Sequence, residues 1–355
     1  MRQNNENFSP LTRPEFDTLT GSLSRLLSTT NRPVIIPSEA ILGIEAIAAG
    51  VSAPGRTILN IVTGPYGAIF GKWLARGGAE VVTISTSFDE VVIADEVAAA
   101  VDRYHPCALA FVQAEAVTGG SNPASSILQI ARQSNIITIM DSVSAIGAEP
   151  VLMDKWGIDF VAIGAQKALS GPNGISAVGV SERGWTFLAA NGKAPRDSIL
   201  SLLDLNPHHR VAREQVPANI PILEARALIK TLERVEQEGL EAINQRHELA
   251  SSAAIAGIEA LGLEPWQRNK KWYSPLVTTV RIPQGSNLNI ERPEGIVAPG
   301  DGELRDKLLR INHFGANANQ ESVEEATITL AKLAHRDPHD ALLAERSVWE
   351  NEDGE

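Results

Sequence analysis

Asp159-Phe-Val-Ala-Ile-Gly-Ala-Gln-Lys-Ala-Leu-Ser-Gly-Pro-Asn-Gly174 is the stretch that decides the fold. A short apolar run leads into a lysine, Lys167, and then into a Gly/Pro-rich turn. Upstream, Ile136-Ile-Thr-Ile-Met140 ends on Asp141 in Asp141-Ser-Val-Ser-Ala-Ile-Gly147. An amine and a carboxylate each stand at the carboxyl end of a strand, where an open α/β sheet presents its functional groups. A buried lysine forms a Schiff base with an aldehyde. A carboxylate on a pyridine nitrogen keeps that ring protonated and electron-withdrawing. The pair points to pyridoxal-type chemistry. Lys167 would hold the aldehyde, yield it to an incoming amine, and then carry a proton between two carbons. Val143 is placed to pack on a flat ring, and Gln166 to donate to its substituents.

Outward from this stretch the same rhythm repeats. Apolar runs at 57–63, 80–84, 107–113, 136–140, 160–163 and 175–180 alternate with helical patterns near 39–50, 67–76, 91–103, 124–134 and 182–191. That βαβα order predicts an α/β fold with a mostly parallel sheet covered by helices. The character changes after about residue 215. Two long amphipathic helices, 221–235 and 240–261, precede strand-like runs at 276–282 and 308–311. A last helix over 322–333 begins with Ser322-Val-Glu-Glu325, which fits a capping box. We therefore expect an N-terminal segment (1–30), a large α/β domain (31–238), a smaller C-terminal α+β domain (239–336), and an acidic tail (337–355) that is a loose helix or disordered.

A chain of 355 residues buries a large core, and 43% hydrophobic with 21% charged residues is ordinary for a soluble enzyme. The net charge of −12, with no basic run, speaks against a nucleic-acid partner and against an anionic membrane surface. A single cysteine, Cys107, rules out a disulfide within the chain and reads as a buried strand residue. The N-terminus is polar, and no apolar run is long enough to span a bilayer. The expectation is a soluble, cytoplasmic protein with no metal site.

Three further places carry candidate chemistry. In Ile35-Ile-Pro-Ser-Glu-Ala-Ile-Leu-Gly-Ile-Glu45, Ser38 is a natural N-cap, and Glu39, Ala40 and Ile41 open a helix. Helix N-termini hold phosphates. Glu39 there either complements the helix dipole or repels a phosphate dianion, so that the ligand lacks the phosphate. In Gly64-Pro-Tyr-Gly67, Tyr66 either stacks on a ligand ring or packs on a neighbour. Arg310, in Leu308-Leu-Arg-Ile-Asn-His313, is either the fork for a substrate carboxylate or a surface ion pair.

Asp141-Ser-Val-Ser, Gly164-Ala-Gln-Lys-Ala-Leu, Thr118-Gly119 and Leu309-Arg-Ile, in their places along the chain, resemble the class V aminotransferases of PLP-dependent transferase fold type I. The similarity runs from about residue 30 to 335 and takes in the alanine–glyoxylate and serine–glyoxylate enzymes. Ser38-Glu-Ala-Ile-Leu-Gly-Ile-Glu45, Gly179-Val-Ser-Glu-Arg-Gly-Trp185, Ala194-Pro-Arg-Asp-Ser-Ile-Leu-Ser201 and Arg310-Ile-Asn-His313 are similar to the pyridoxamine–pyruvate group. The resemblance implies a transaminase that exchanges an amino group between pyridoxamine or an amino acid and a 2-oxo acid. Its ring is either pyridoxal phosphate or unphosphorylated pyridoxal/pyridoxamine taken as substrate. It places Glu39 in the former phosphate cup, Tyr66 on the ring, and Arg310 on a carboxylate. It also implies a homodimer or dimer of dimers, with Asn219 standing where a neighbouring subunit supplies a threonine.

Three departures modify this reading. Relatives of the last group carry a second arginine about nine positions before the first, and this chain has Asp301, which favours a less anionic or amine-bearing partner molecule. Ala116 stands where relatives often carry a hydroxyl. Against the family pattern the N-terminal arm is shortened, and the expectation is either a more open pocket or a misassigned start. Lyase chemistry such as C–S cleavage, and a degenerate paralogue that only binds B6 vitamers, are the competing functions.

Overall fold

The computed structural model describes residues 9–207, 218–285, 288 and 290–352. Its centre is a seven-stranded sheet of β1 (Val34–Ile36), β2 (Thr57–Val62), β3 (Glu80–Ser85), β4 (Ala108–Val112), β7 (Ile137–Asp141), β8 (Phe160–Gly164) and β9 (Ser176–Val180). The short strands β5 (Ala114–Glu115) and β6 (Gly120–Ser121) form a separate hairpin. The order across the large sheet is β1-β9-β8-β7-β4-β2-β3. Strand β9 alone runs against the rest, pairing antiparallel with both β8 and β1. The runs in β4, β7, β8 and β9 are buried throughout, because helices cover both faces. The edge strand β3 has only exposed and half-buried residues.

Two apolar layers flank this sheet. One gathers Leu59, Leu109, Phe111, Met140 and Val161 with the helix Ile222–Glu238 and helix α1 (Arg13–Leu26). The other packs Ile58, Ala110, Ile139 and Phe160 against α2 (Ala40–Val51) and α3 (Pro65–Arg76). Helix α1 starts at a capping box, Thr12 with Glu15, and Glu15 also pairs with Arg226 at 2.8 Å. The N-terminal segment is thereby fastened to the sheet's own helical layer.

The C-terminal residues build a three-stranded antiparallel sheet, with β12 (Leu308–Ile311) between β10 (Thr278–Arg281) and β11 (Val297–Pro299). The helix Leu240–Ala260 begins in the first core at Ile243 and ends in the C-terminal one at Ile258.

Three expectations are corrected here. Residues His339–Glu352 are neither disordered nor a loose helix but a packed one, whose Ala341, Val348 and Trp349 join the C-terminal core. Its Glu345 is buried and accepts a hydrogen bond from Thr327. The preceding helix spans Gln320–Leu333, and its N-cap is Asn319, whose side chain accepts from the Ser322 N–H at 2.9 Å. The box expected at Ser322 therefore lies inside the helix. Cys107 is half-buried and sits one residue before β4. Among the described residues no helix is long and apolar enough to cross a membrane.

Candidate active site

Strands β1, β2, β4, β7 and β8 run the same way, so their carboxyl ends share one edge. The chain passes from β2 outward to β3 and returns beside β2 as β4, which makes this edge a topological switch point. Every strand in this set delivers a polar group to it. Glu39 follows β1, Tyr66 follows β2, Glu115 follows β4, Asp141 ends β7 and Lys167 follows β8.

Asp141 and Lys167 form the floor. Strands β7 and β8 pair with Asp141 beside Ala162, five residues before the lysine. The Asp141 carboxylate is buried and accepts one hydrogen bond, from the Val143 N–H at 3.0 Å. Burial pushes its pKa up to about 6, against the pull of that N–H and of Lys167. Burial pushes the Lys167 amine down, while Asp141, Glu115 and Glu39 pull it back up. The lysine Nζ donates to Ser144 Oγ at 2.5 Å and lies 5.7 Å from the centre of the Tyr66 ring. A lysine in such a place is readier to be a neutral nucleophile than one in water.

Glu39 is the exposed N-cap of α2, and its carboxylate makes no capping bond. Instead its Oε1 accepts from Gln166 Nε2 at 3.2 Å. Ala40 and Ile41 are the first two residues of the helix, where backbone N–H groups have no intrahelical acceptor. Gln166 Oε1 is buried and has no partner among the described residues.

Two residues here escaped the sequence reading. Glu115 is 1% exposed, and its carboxylate accepts from the N–H groups of Gly67 at 3.0 Å and Tyr66 at 3.4 Å, the first turn of α3. A Cβ on Gly64 would lie 2.4 Å from this carboxylate, so the close approach requires glycine there. Burial, with a smaller push from neighbouring Asp141, raises the Glu115 pKa to about 7 against the pull of the Gly67 and Tyr66 N–H groups. The signal was present: a charged residue follows the central strand β4, directly beside the one ending in Asp141. Ser144 was also legible in outline, since Asp141-Ser-Val-Ser returns a hydroxyl three residues after the carboxylate. That it meets Lys167 depends on the packing of two loops.

Arg310, on β12, is brought to the same cleft by a turn whose Gly315 has φ of +63°. A Cβ on Gly315 would come 2.7 Å from the Lys167 carbonyl, so the two loops touch. Arg310 lies close enough to act on the Lys167 charge. It also pairs with Asp301, Nη1 to Oδ2 at 3.1 Å. Val143 is buried beside Asp141. Ala116 is buried too, in a small cluster with Ala148, Ala168, Leu276 and Val277. Asn219 does not join the others. It is exposed and lines a surface pocket with Pro10, Leu11 and Phe16.

Known proteins share this fold. The family model described as aminotransferase class-V matches residues 25–286. A pyridoxamine–pyruvate transaminase of Mesorhizobium japonicum is 30% identical over 88% of this chain and 81% of its own. The crystal structure of pyridoxamine–pyruvate aminotransferase from Mesorhizobium loti superposes with a TM-score of 0.90 at 26% identity, covering 98% of this chain and 91% of that one. The ureidoglycine–glyoxylate aminotransferase of Bacillus subtilis gives 0.85 at 27% identity over 97% and 92%. A parallel sheet with a lysine and a carboxylate at its switch edge, and a family match across most of the chain, lead to one conclusion: the chain belongs to the class V aminotransferases, enzymes of PLP fold type I.

Proposed function

We propose that this aminotransferase takes its B6 ring without the phosphate, moving an amino group from free pyridoxamine to a 2-oxo acid. The observation that carries the reading is Glu39. Glu39 is the N-cap residue of α2 at the carboxyl end of β1, and its carboxylate is held by Gln166, the residue next to Lys167. A phosphate dianion there would meet a second anion a few ångströms away, and the repulsion outweighs what the helix end offers.

The residues present suit such a ring. Asp141 is a buried carboxylate with one hydrogen bond and a raised pKa, so a protonated pyridine nitrogen is the partner it lacks. Gln166 Oε1 is an orphaned buried acceptor suited to a ring hydroxyl or an amine. When bound, the ring supplies an electron sink for the carbon that loses its proton. Lys167 Nζ is the base that would carry the proton between the two carbons flanking the transferred nitrogen. Ser144 Oγ holds the amine in place between those events. Tyr66 closes one face, and Glu115 fixes its position through the backbone of α3. Arg310 takes the carboxylate of the oxo acid. The working unit in this reading is a homodimer, with Asn219 presented to the neighbouring subunit. A conventional pyridoxal phosphate enzyme is the second reading, favoured by the N–H groups of Ala40 and Ile41 at the same helix end.

The test is a spectral titration of the apoprotein with pyridoxal and with pyridoxal phosphate, repeated on Glu39→Ala. The unmodified protein should bind pyridoxal about tenfold more tightly, and the variant should reverse that order. Tight binding of the phosphate by the unmodified protein returns it to the conventional reading.

A further inference from the structure

Arg310 is not presented to the cleft as a free fork. A guanidinium grips a carboxylate by two N–H groups at once, either side-on through Nε and one Nη or end-on through both Nη. Here Nε donates to the Pro299 carbonyl at 3.2 Å, and Nη1 faces Asp301 Oδ2 at 3.1 Å. Each bidentate grip is therefore half taken, and Nη2 is left without a partner among the described residues. Asp301 is itself 59% exposed against 17% for Arg310, so it forms the rim and the arginine the wall. Its Oδ1 has no partner among the described residues. Asp301 stands between Gly300 and Gly302, in the turn that leaves β11, and its charge reaches Tyr66. The rim carboxylate faces the same cleft as Lys167.

A substrate offering one carboxylate has two poor choices. It can displace Asp301, or it can accept a single N–H from Nη2. A dicarboxylate fares worse, because its second charge meets a site that already holds Glu39, Glu115, Asp141 and Asp301. A substrate with a carboxylate and a second, protonated amine satisfies both members of the pair. Its carboxylate takes Nη2 and its ammonium takes the open oxygen of Asp301, and the Arg310–Asp301 contact stays intact.

We propose that Asp301 is a specificity-determining residue which, together with Arg310, selects amino and oxo acids carrying an additional cationic amine on the side chain and rejects dicarboxylates. The proposal rests on the transaminase reading above. It is independent of whether the ring carries its phosphate.

The experiment has two arms on the enzyme loaded with whichever B6 ring it binds. In the first, the amino group is driven from L-ornithine, L-2,4-diaminobutanoate, L-alanine and L-glutamate onto the ring, with kcat/KM compared between the unmodified chain and Asp301→Asn. In the second, binding of pentanoate and of 5-aminopentanoate, which lack the reacting amine, is measured by calorimetry on the same two proteins. The diamino acids should exceed alanine by about fivefold to tenfold, and glutamate should be the poorest. Asp301→Asn should bring the diamino acids and alanine to parity and raise glutamate. 5-Aminopentanoate should bind more tightly than pentanoate only when Asp301 is present. Equal binding of the two acids by the unmodified chain, or ratios unchanged in Asp301→Asn, overturns the proposal while leaving the transaminase reading in place. Asp301-dependent binding of 5-aminopentanoate with no amino acid converted supports the rim pair and sinks the transaminase reading.

Discussion

The floor and the wall of the cleft are built on opposite principles. Asp141, Glu115 and Lys167 emerge from parallel strands packed on both faces, and burial is the largest cause that shifts all three away from their ordinary pKa values. Arg310 and Asp301 come from a three-stranded antiparallel sheet, and the aspartate is more than half exposed. Water screens the rim pair, so its members exchange partners at small cost. The floor has no such freedom, because an ionised carboxylate in an apolar layer needs a particular cation beside it. In the proposed reading, reaction type resides in the sheet and substrate choice in the turn after β11.

Removing parts of the floor should therefore have the largest effects. Lys167→Ala should lower amino-group transfer by about 10³-fold or more, and Asp141→Asn by about 10²-fold, read as single-turnover rates with saturating substrate. If instead either variant changed KM with kcat intact, the floor would be binding rather than reacting machinery, and the contrast with the wall would collapse.

Glu115→Gln sharpens the contrast through pH. The folded-state pKa of about 7 lies above the ordinary carboxylate value, so the protonated form is the one the fold favours. Its contribution to stability is complete below about pH 4.5 and is lost as the pH rises through 7. Melting of the unmodified protein should thus worsen from pH 5 to pH 8, and Glu115→Gln should remove about 2–4 kcal/mol of that worsening. The variant should be the less stable of the two at pH 5, because an amide oxygen cannot serve both the Tyr66 and Gly67 N–H groups. An unchanged pH dependence would show that Glu115 is not held in the apolar layer.

The smallest effect separates a cap from an interior helical residue in the C-terminal core. Asn319→Ala should lower the unfolding free energy by about 1 kcal/mol, whereas Ser322→Ala should change it by a few tenths at most. The reverse order in denaturant melts would restore the capping box expected at Ser322.

Legibility followed the same division. Alternating apolar runs and helical patterns located the parallel sheet, and Asp141 and Lys167 were found because strand ends are where such sheets place reactive groups. Glu115 was overlooked because a charged residue after a strand reads as solvent-facing until the neighbouring helix is seen to lie over it. The packing of the helix His339–Glu352 was overlooked for a related reason. Its many charges suggested a solvated tail, but Ala341, Val348 and Trp349 occur on one side and find a core to cover. Asn219 matched a family position in sequence, but within one chain it packs with the N-terminal segment on a different surface.

The amino-acid sequence by itself determined the sheet, the order of its strands' polar ends, and the pairing of a lysine with a carboxylate, because apolar periodicity and strand-end chemistry are local properties. Tertiary structure alone decided that Ser144 holds the lysine, that Glu115 secures α3, and that Asp301 shares Arg310. Those contacts join loops far apart in the chain, and their energies depend on burial and on distances that no local pattern encodes.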